Sequence, residues 1–219
     1  MSDVDDRAVE ELAAGLGDQA AAHAGDVSDS TSVRAAIDLA VERFGGLDVA
    51  FANAGVFGTV ASVAEYPEDV FDRVMAVNVR GAFLLARHAL AVMRDGGSLI
   101  LNSSVVGLTS DPGICAYATS KHALVGLMRT AAKEVAPRGI RVNSLHPGPV
   151  DNRFQRDVEV TATGLGEREA AAAAAFETMI PLGRHARPDE IAAAALFLAA
   201  DESAFLTGAA VPLDGGMSA

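Results

Sequence analysis

Short apolar runs alternate with amphipathic helical segments along most of this chain. Largely apolar runs of strand length at Leu47–Ala52 and 98–101 indicate strands that are buried on both faces. Further strands are predicted at 141–145 and 209–213, each separated from the strand before it by a helix. Repeated strand–helix units predict an α/β fold with a parallel sheet and helices on both of its faces.

Helical periodicity and end signals locate the helices between these strands. The predicted helices cover Asp6–Leu16, Ser30–Phe44, 68–93, 117–136 and 189–200. Asp29 stands where an N-cap is expected for the second of them, and Gly45 follows its last residue. A small-residue run at 19–27, which ends near Asp26, is predicted to be an early strand.

Charge and length exclude several classes of partner. The 219 residues fit a single domain, 1–219, and the net charge of −12 repels phosphate backbones and anionic lipid surfaces. The apolar stretch 191–200 is too short to span a membrane and is predicted to be a buried helix. We therefore expect neither a nucleic-acid nor a membrane partner.

The N-terminal segment and the cysteine content suggest where the chain resides. The first twenty residues carry six acidic side chains and lack the apolar core of a secretory signal peptide. Cys115 is the single cysteine, so no internal disulfide can form. Both features suit a reducing, cytoplasmic compartment.

The segment 152–184 interrupts the alternation of strands and helices. It contains TATGLG, an alanine-rich stretch at 170–175 and Pro181. We predict a partly helical flap over the substrate, because long excursions in compact domains are usually functional. An inert surface insertion is the alternative.

One tyrosine–lysine pair suggests proton-transfer chemistry. Tyr117 and Lys121 are four residues apart in a predicted helix, so their side chains lie on one face. An ammonium group close to a phenol lowers the pKa of the phenol toward neutrality, where it can exchange a proton with an alcohol or a carbonyl. The spacing alone is weak evidence, since many helices carry such a pair by chance.

A serine pair after a buried strand strengthens this interpretation. Ser104 follows the 98–101 strand and precedes Tyr117 by thirteen residues. At the carboxyl end of a parallel strand its hydroxyl would face the crevice in which open α/β sheets bind ligands, and it could hold a substrate oxygen. Taken alone, Ser103 and Ser104 could instead cap a helix or form a turn.

With these residues assembled, the chain resembles the shorter type of short-chain dehydrogenase/reductase, from about Asp3 to Gly216. Several separate motifs carry the resemblance. They are NAG at 53–55, VNVRGAF at 77–83, NSS at 102–104, YATSK at 117–121, HPGPV at 146–150, PLGR at 181–184 and LDGG at 213–216.

The resemblance implies catalytic roles for four residues. Tyr117 would be the acid/base, and Lys121 would lower the pKa of Tyr117 and bind the nicotinamide ribose. Ser104 would hold the substrate oxygen, and Asn78 would hold a water that relays the proton. The implied activity is NAD(P)-dependent interconversion of an alcohol and a ketone by hydride transfer, with no metal. Asn78 taken alone could be a residue at a helix kink.

The resemblance also implies a set of cofactor-binding residues. Besides Tyr117 and Lys121, they are Asp3, Asp26, Val27, Asn53, Ala54, Gly55, Pro147, Gly148 and Val150. Asp3 matches the acidic residue that binds the adenosine ribose and selects NAD over NADP. Asp26 taken alone would more readily cap a turn. Asn152 stands where the family often has threonine.

The family's glycine-rich phosphate-binding turn has no counterpart here. Gly15 and Gly17 close a helix, and TGLG at 163–166 lies far along the chain, so neither follows a strand and opens a helix. We therefore expect a three-layer Rossmann-like parallel sheet with the N-terminal βαβ unit missing, that is, an N-terminally truncated domain. The 19–27 strand should then slide in beside Leu47–Ala52, or the fold should be unstable.

Two classes of function are consistent with this sequence. The first is an NAD-dependent oxidoreductase acting on a small alcohol or ketone, with an apolar pocket and a homo-oligomeric, tetrameric or dimeric, assembly. The second is a non-catalytic, truncated relative that binds dinucleotide weakly or not at all. An extended-type epimerase also uses Y-x-x-x-K, but the short C-terminus leaves little room for its substrate domain.

Overall fold

The computed structural model describes residues 1–165 and 168–219. In chain order its elements are β1 (Ser2–Asp3), α1 (Asp6–Leu16), β2 (His23–Ala24), α2 (Ser30–Phe44), β3 (Leu47–Ala52), α3 (Glu68–Val74), a π-helical segment (Met75–Arg80), α4 (Gly81–Val92), β4 (Met93–Asn102), α5 (Cys115–Val135), β5 (Arg141–Pro147), α6 (Arg153–Thr163), α7 (Glu169–Glu177), α8 (Pro188–Ala199) and β6 (Ala210–Leu213).

The predicted parallel sheet is present and consists of four strands. Its order is β3-β4-β5-β6, and all neighbours are parallel. Helices cover both faces: α2, α4 and α5 bury Leu99, Leu101 and Val142 on one side, whereas α8 packs on Ile100 and Leu145 on the other. The prediction of a three-layer α/β fold is therefore confirmed.

The N-terminal strands form a second, separate sheet. The predicted strand at 19–27 shortens to β2, which pairs in parallel with β1 and not with β3. The expected insertion beside β3 is thus wrong. The reason is local: β1, α1 and β2 make a complete strand–helix–strand unit, in which His23 N–H donates to Met1 O at 3.0 Å and Gly25 N–H donates to Asp3 O at 2.8 Å.

The outer edge of β3 faces a cavity of about 320 Å³. Residues of β1, α2 and α4 line the other walls, and Val49 and Phe51 of β3 remain 40% and 39% exposed. Apolar side chains are normally buried in the strands of a parallel sheet. The prediction that Leu47–Ala52 is buried on both faces is therefore wrong for the face that carries Val49 and Phe51.

The predicted helix at 68–93 is interrupted in its middle. α3 and α4 are joined by the π-helical segment Met75–Arg80, and Met93 already belongs to β4. Glu68–Val92 has the length and the apolar composition of a membrane span, yet 44% of its most apolar window is buried inside the protein. A core helix passes the same test, so this feature is weak evidence for a membrane.

The helix predicted at 191–200 is buried on one side only. α8 is not the fully buried helix expected from 191–200, because Leu198 is buried while Leu196 and Phe197 are exposed. A helix that covers only one face of a sheet keeps its other side in solvent.

Segment 152–184 is partly helical, as predicted, with α6 packed against α7. Gly166 of the TATGLG motif lies outside the described residues.

Candidate active site

A cavity of about 630 Å³ lies at the carboxyl ends of β3, β4 and β5. The loops after these strands form its wall, as expected for ligand sites in parallel sheets. It collects every predicted cofactor residue together with three of the predicted catalytic residues. These are Asp3, Asp26, Val27, Asn53, Ala54, Gly55, Ser104, Tyr117, Lys121, Pro147, Gly148 and Val150. The predicted residue missing from this lining is Asn78, which lies behind the NAG turn.

Tyr117 lies in the first turn of α5, between two phenylalanine rings. Its ring centroid is 5.3 Å from that of Phe57 and 6.5 Å from that of Phe154. Val105, Val106 and Ile114 pack in the same apolar cluster. Phe57 belongs to no motif and lies far from Tyr117 in the chain, so the sequence does not place it in this cluster.

Burial controls the ionisation of the tyrosine–lysine pair. It raises the pKa of Tyr117 to about 12, and the hydrogen bond to Ser104 opposes this only in part. Burial also lowers the pKa of Lys121 to about 8. The net shift of the Tyr117 pKa is thus upward, opposite to the expected lowering toward neutrality. The ammonium is directed elsewhere: Lys121 Nζ donates to Asn102 O at 2.9 Å and lies 5.4 Å from the tyrosine ring centroid.

Ser103 and Ser104 have different partners. Ser104 Oγ accepts a long hydrogen bond from Val106 N–H, at 3.4 Å, and so caps the short 3-10 turn Val105–Gly107. Ser103 Oγ donates to Lys121 O at 2.9 Å and therefore ties the end of β4 to α5. The turn-capping alternative is correct for Ser104, which also lines the cavity beside Tyr117.

Asn78 lies in the π-helical segment and is 1% exposed. Its Oδ1 accepts from Val56 N–H at 2.8 Å, and its Nδ2 donates to Val56 O and to Ser120 Oγ, each at 2.9 Å. Ser120 Oγ in turn donates to Tyr117 O at 2.7 Å. Asn78 thus fixes the loop after β3 to the first turn of α5. It marks an irregular part of the helix, and its role in water binding stays a prediction.

The two acidic residues predicted at the adenosine end accept hydrogen bonds within turns. Asp26 Oδ1 accepts from Ser28 N–H and from Ser28 Oγ, both at 2.8 Å, and these bonds, more than the Arg73 charge, lower the pKa of Asp26. Asp3 Oδ1 accepts from Asp5 N–H at 3.0 Å. The turn-capping alternative for Asp26 is therefore observed.

Three features of the cavity test whether a dinucleotide fits it. A Cβ atom at Gly148 would lie 2.9 Å from Asp214 Cα, and one at Gly55 would lie 3.5 Å from Lys121 Nζ. Glycine therefore lets the β5 loop pack closely and keeps the space above Lys121 open. Asn102 Oδ1 is buried beside this space without a hydrogen-bond partner in the described residues. Unpaired polar atoms at a site suggest a missing donor, such as a ribose hydroxyl.

The phosphate-binding part of the cavity is less complete. Of the residues that line it, Arg73 and Lys121 are the cationic ones. Arg73 lies 3.8 Å from Asp26, and Asn152 Oδ1 accepts from Gln155 N–H at 2.8 Å as the N-cap of α6. Within 1–165 and 168–219, no glycine-rich turn joins a strand to a helix beside this cavity. The residues present fit the nicotinamide and adenosine ends of a dinucleotide better than its phosphates.

Comparison with known families decides the identity of this fold. A family model described as enoyl-(acyl carrier protein) reductase matches residues 1–218. The chain belongs to the short-chain dehydrogenase/reductase family. It is thus an oxidoreductase of a family whose members interconvert alcohols and ketones with a nicotinamide cofactor.

Relatives within this family have varied substrates. Momilactone A synthase of Oryza sativa subsp. japonica is 39% identical over an alignment of 222 positions, which spans 100% of this chain and 80% of the relative. Trans-4-hydroxycyclohexanecarboxylate dehydrogenase of Sinomonas cyclohexanicum is 40% identical over 195 residues, which span 89% of this chain and 69% of that protein.

Solved members of the short-chain dehydrogenase/reductase family superimpose closely. Levodione reductase gives a TM-score of 0.93 at 32% identity over 99% of this chain and 86% of that chain. NAD⁺-bound xylitol dehydrogenase gives 0.91 at 31% identity, with 98% and 87% covered. A blue fluorescent protein in complex with NADPH gives 0.86 at 32% identity, with 97% and 83% covered. Similar structures thus hold NAD⁺ in one case and NADPH in another.

Proposed function

We propose that the protein interconverts a small apolar secondary alcohol and its ketone, with NAD as the preferred cofactor. The observation that carries this proposal is one cavity that holds the Tyr117 phenol, the Ser104 hydroxyl and the Lys121 ammonium beside the predicted cofactor residues. A phenol, a hydroxyl and a cation beside a bound alcohol are the groups that its deprotonation requires.

Each catalytic side chain has a role that its surroundings support. In alcohol oxidation, Tyr117 Oη takes the hydroxyl proton while Ser104 Oγ hydrogen-bonds the same oxygen and fixes its position. Because burial raises the pKa of Tyr117 to about 12, the phenolate needs the positive charge of Lys121. A bound nicotinamide supplies the hydride acceptor. In ketone reduction, Tyr117 returns the proton.

The walls around Tyr117 support an apolar substrate. Phe57 and Phe154 flank the phenol, and Val106 and Ile114 are buried in the same cluster. The helices of segment 152–184 carry Phe154 into this space, which supports a role as a substrate flap. The relative that acts on a hydroxycyclohexane carboxylate makes cyclic alcohols and ketones a reasonable first set of substrates.

The test of this function uses NADH first and substrate second. We expect saturable enhancement of NADH fluorescence on titration with the protein. We also expect absorbance at 340 nm to fall when a panel of cyclic ketones is added. If the protein binds NADH but reduces none of these ketones, the proposed substrate class is wrong. No enhancement at millimolar NADH would contradict the enzyme proposal itself.

The non-catalytic alternative rests on one specific observation. No glycine-rich turn is present beside the cavity in the described residues, and such turns hold the pyrophosphate at a helix N-terminus. If this alternative is correct, the protein would fold with its Tyr117 site assembled and still fail to bind NADH. The fluorescence titration therefore separates the two functions directly.

The preference for NAD rests on the carboxylate of Asp3, which lines the adenosine end of the cavity. A carboxylate hydrogen-bonds a free ribose hydroxyl and repels a 2′-phosphate. We expect Asp3→Ser combined with Val4→Arg to raise the ratio of kcat/KM for NADPH over NADH by about tenfold or more, the effect of about 1.4 kcal/mol. Asp3→Asn keeps the shape and should shift the ratio less. An unchanged ratio in both variants would contradict the role of Asp3.

We also propose a homo-oligomer, tetrameric or dimeric, that resides in the cytoplasm. Phe83 and Val92 of α4 remain 42% and 44% exposed in the single chain, and contact with a second copy would cover such apolar surface. The single cysteine, Cys115, suits a reducing compartment, and the net charge of −12 disfavours nucleic acid as a partner.

A further inference from the structure

His146 is a buried histidine that the proposed reaction does not use. It lies near the end of β5 and has no exposed surface. Its Nδ1 is 2.8 Å from Ser104 O, and its Nε2 is 2.8 Å from Ser144 Oγ. The ring therefore connects β5 to the loop after β4, at the residue that is proposed to hold the substrate oxygen.

The partners of His146 determine which nitrogen carries the proton. A backbone carbonyl can only accept a hydrogen bond, so Nδ1 must be protonated to bond Ser104 O. Ser144 Oγ can donate, so Nε2 is free to act as the acceptor. Burial lowers the pKa of His146, as do the Lys121 and His122 charges, and the Ser104 carbonyl opposes this only in part. The ring is thus neutral, with one defined tautomer.

We propose that His146 is a positioning residue that clamps the Ser104 peptide through its Nδ1–H group. Ser104 O also accepts from Gly107 N–H at 2.9 Å, so the two donors together occupy both acceptor directions of this carbonyl. The Ser104 backbone cannot rotate without breaking both bonds. Its hydroxyl is therefore held beside Tyr117 before substrate arrives.

A second contact pair extends this clamp to the lysine. Ser103 N–H donates to Leu145 O at 2.8 Å, and Ser103 Oγ donates to Lys121 O at 2.9 Å. Adjacent residues of β5, Leu145 and His146, thus hold adjacent serines. A change at His146 should affect Ser104 first, because the Ser103 bonds to Lys121 and Leu145 do not involve the ring.

Two substitutions separate the clamp from simple packing. The Asn amide nitrogen occupies the place of Nδ1, whereas the Gln amide extends to the place of Nε2. Since the clamp serves the proposed reaction, we expect His146→Gln to lower kcat by about 10- to 100-fold, with the NADH dissociation constant unchanged. His146→Asn should recover most of kcat. Equal losses in both variants, or none in His146→Gln, would overturn the proposal.

A double-mutant cycle tests whether the effect passes through Ser104. In a Ser104→Ala background the clamp has no hydroxyl to position, so adding His146→Gln should lower kcat little further. Multiplicative losses would assign His146 an independent, structural role. His122→Gln is the matched control, because His122 Nδ1 contacts Ala118 O at 3.0 Å within α5 and makes no hydrogen bond to Ser104 in the described part of the chain.

A tautomer measurement tests the clamp without any turnover. In ¹⁵N-histidine-labelled protein, His146 should carry its proton on Nδ1 at pH 7, with a bare Nε2. A protonated Nε2 at that pH would contradict the proposal. A protein that carries the Nδ1–H tautomer and yet reduces no ketone would support the clamp and contradict only the proposed reaction.

Discussion

Replacement of Tyr117 by phenylalanine is expected to lower kcat by about a thousandfold, within the range that a positioned acid/base contributes. The ring would still pack between Phe57 and Phe154, so the cavity should keep its shape. Only the phenolic oxygen that exchanges the proton is removed. Steady-state kinetics in the ketone-reduction direction measures the loss.

The same variant should retain the fold and the cofactor site. Because burial disfavours the charged form of Tyr117, removing its hydroxyl leaves no unpaired charge behind. We expect an unchanged NADH dissociation constant and a melting temperature close to that of the wild type. Tyr66→Phe is the control, since Tyr66 is the other tyrosine and its hydroxyl accepts only a 3.2 Å bond from Thr59 N–H. Equal activity in the two variants would exclude Tyr117 as the acid/base.

The sheet could be predicted because its strands carry their own signals. Leu47–Ala52 and the centre of β4 are apolar runs of strand length, which are typical of a parallel sheet covered by helices. The division into two sheets could not be predicted from composition. It depends on whether β2 pairs with β1 or with β3, and both pairings satisfy the same apolar pattern. The π-helical segment at Met75–Arg80 likewise leaves the helical periodicity nearly intact.

The candidate site was predictable where its residues lie in short motifs. Tyr117 and Lys121 share a helix face, and Ser104 follows a strand, so local sequence alone brings them toward one edge of the sheet. Phe57 and His146 could not be assigned in the same way. Phe57 meets Tyr117 only because the loop after β3 packs on the first turn of α5, and the partners of His146 depend on which β5 face points toward the Ser104 loop.

The acidity of the tyrosine–lysine pair shows a different limit of sequence analysis. The spacing of Tyr117 and Lys121 correctly predicts their proximity and suggests a lowered pKa for the phenol. It carries no information on burial, which acts on both groups and raises the pKa of Tyr117 instead. Desolvation can exceed the effect of a nearby charge when both groups are removed from water.

Lys121 should therefore lower the unfolding free energy of the protein, although its charge is proposed to be needed for activity. Its folded pKa of about 8 lies well below its ordinary 10.5, which corresponds to ~3 kcal/mol of unfavourable free energy at neutral pH. Lys121→Met removes this penalty and also removes the bond to Asn102 O, worth ~1 kcal/mol. We expect a net increase in unfolding free energy of ~2 kcal/mol at pH 7, measured by urea denaturation. Turnover should fall steeply in the same variant.

The unfolding free energy should also change with pH, in a direction that a change in packing alone would not produce. Between pH 8 and 10.5 the unfolded chain binds more protons at Lys121 than the folded one, so the unfolding free energy of the wild type should rise with pH in that window. Above pH 10, Tyr117 acts in the opposite direction, because its folded pKa of about 12 exceeds its ordinary value of 10.0. The clearest interval is thus pH 8 to 10, in which Lys121→Met should lose the rise. Lys133→Met, at the other lysine of the chain and on the exposed side of α5, should keep it. If the unfolding free energy of the wild type is flat across this interval, burial does not lower the pKa of Lys121.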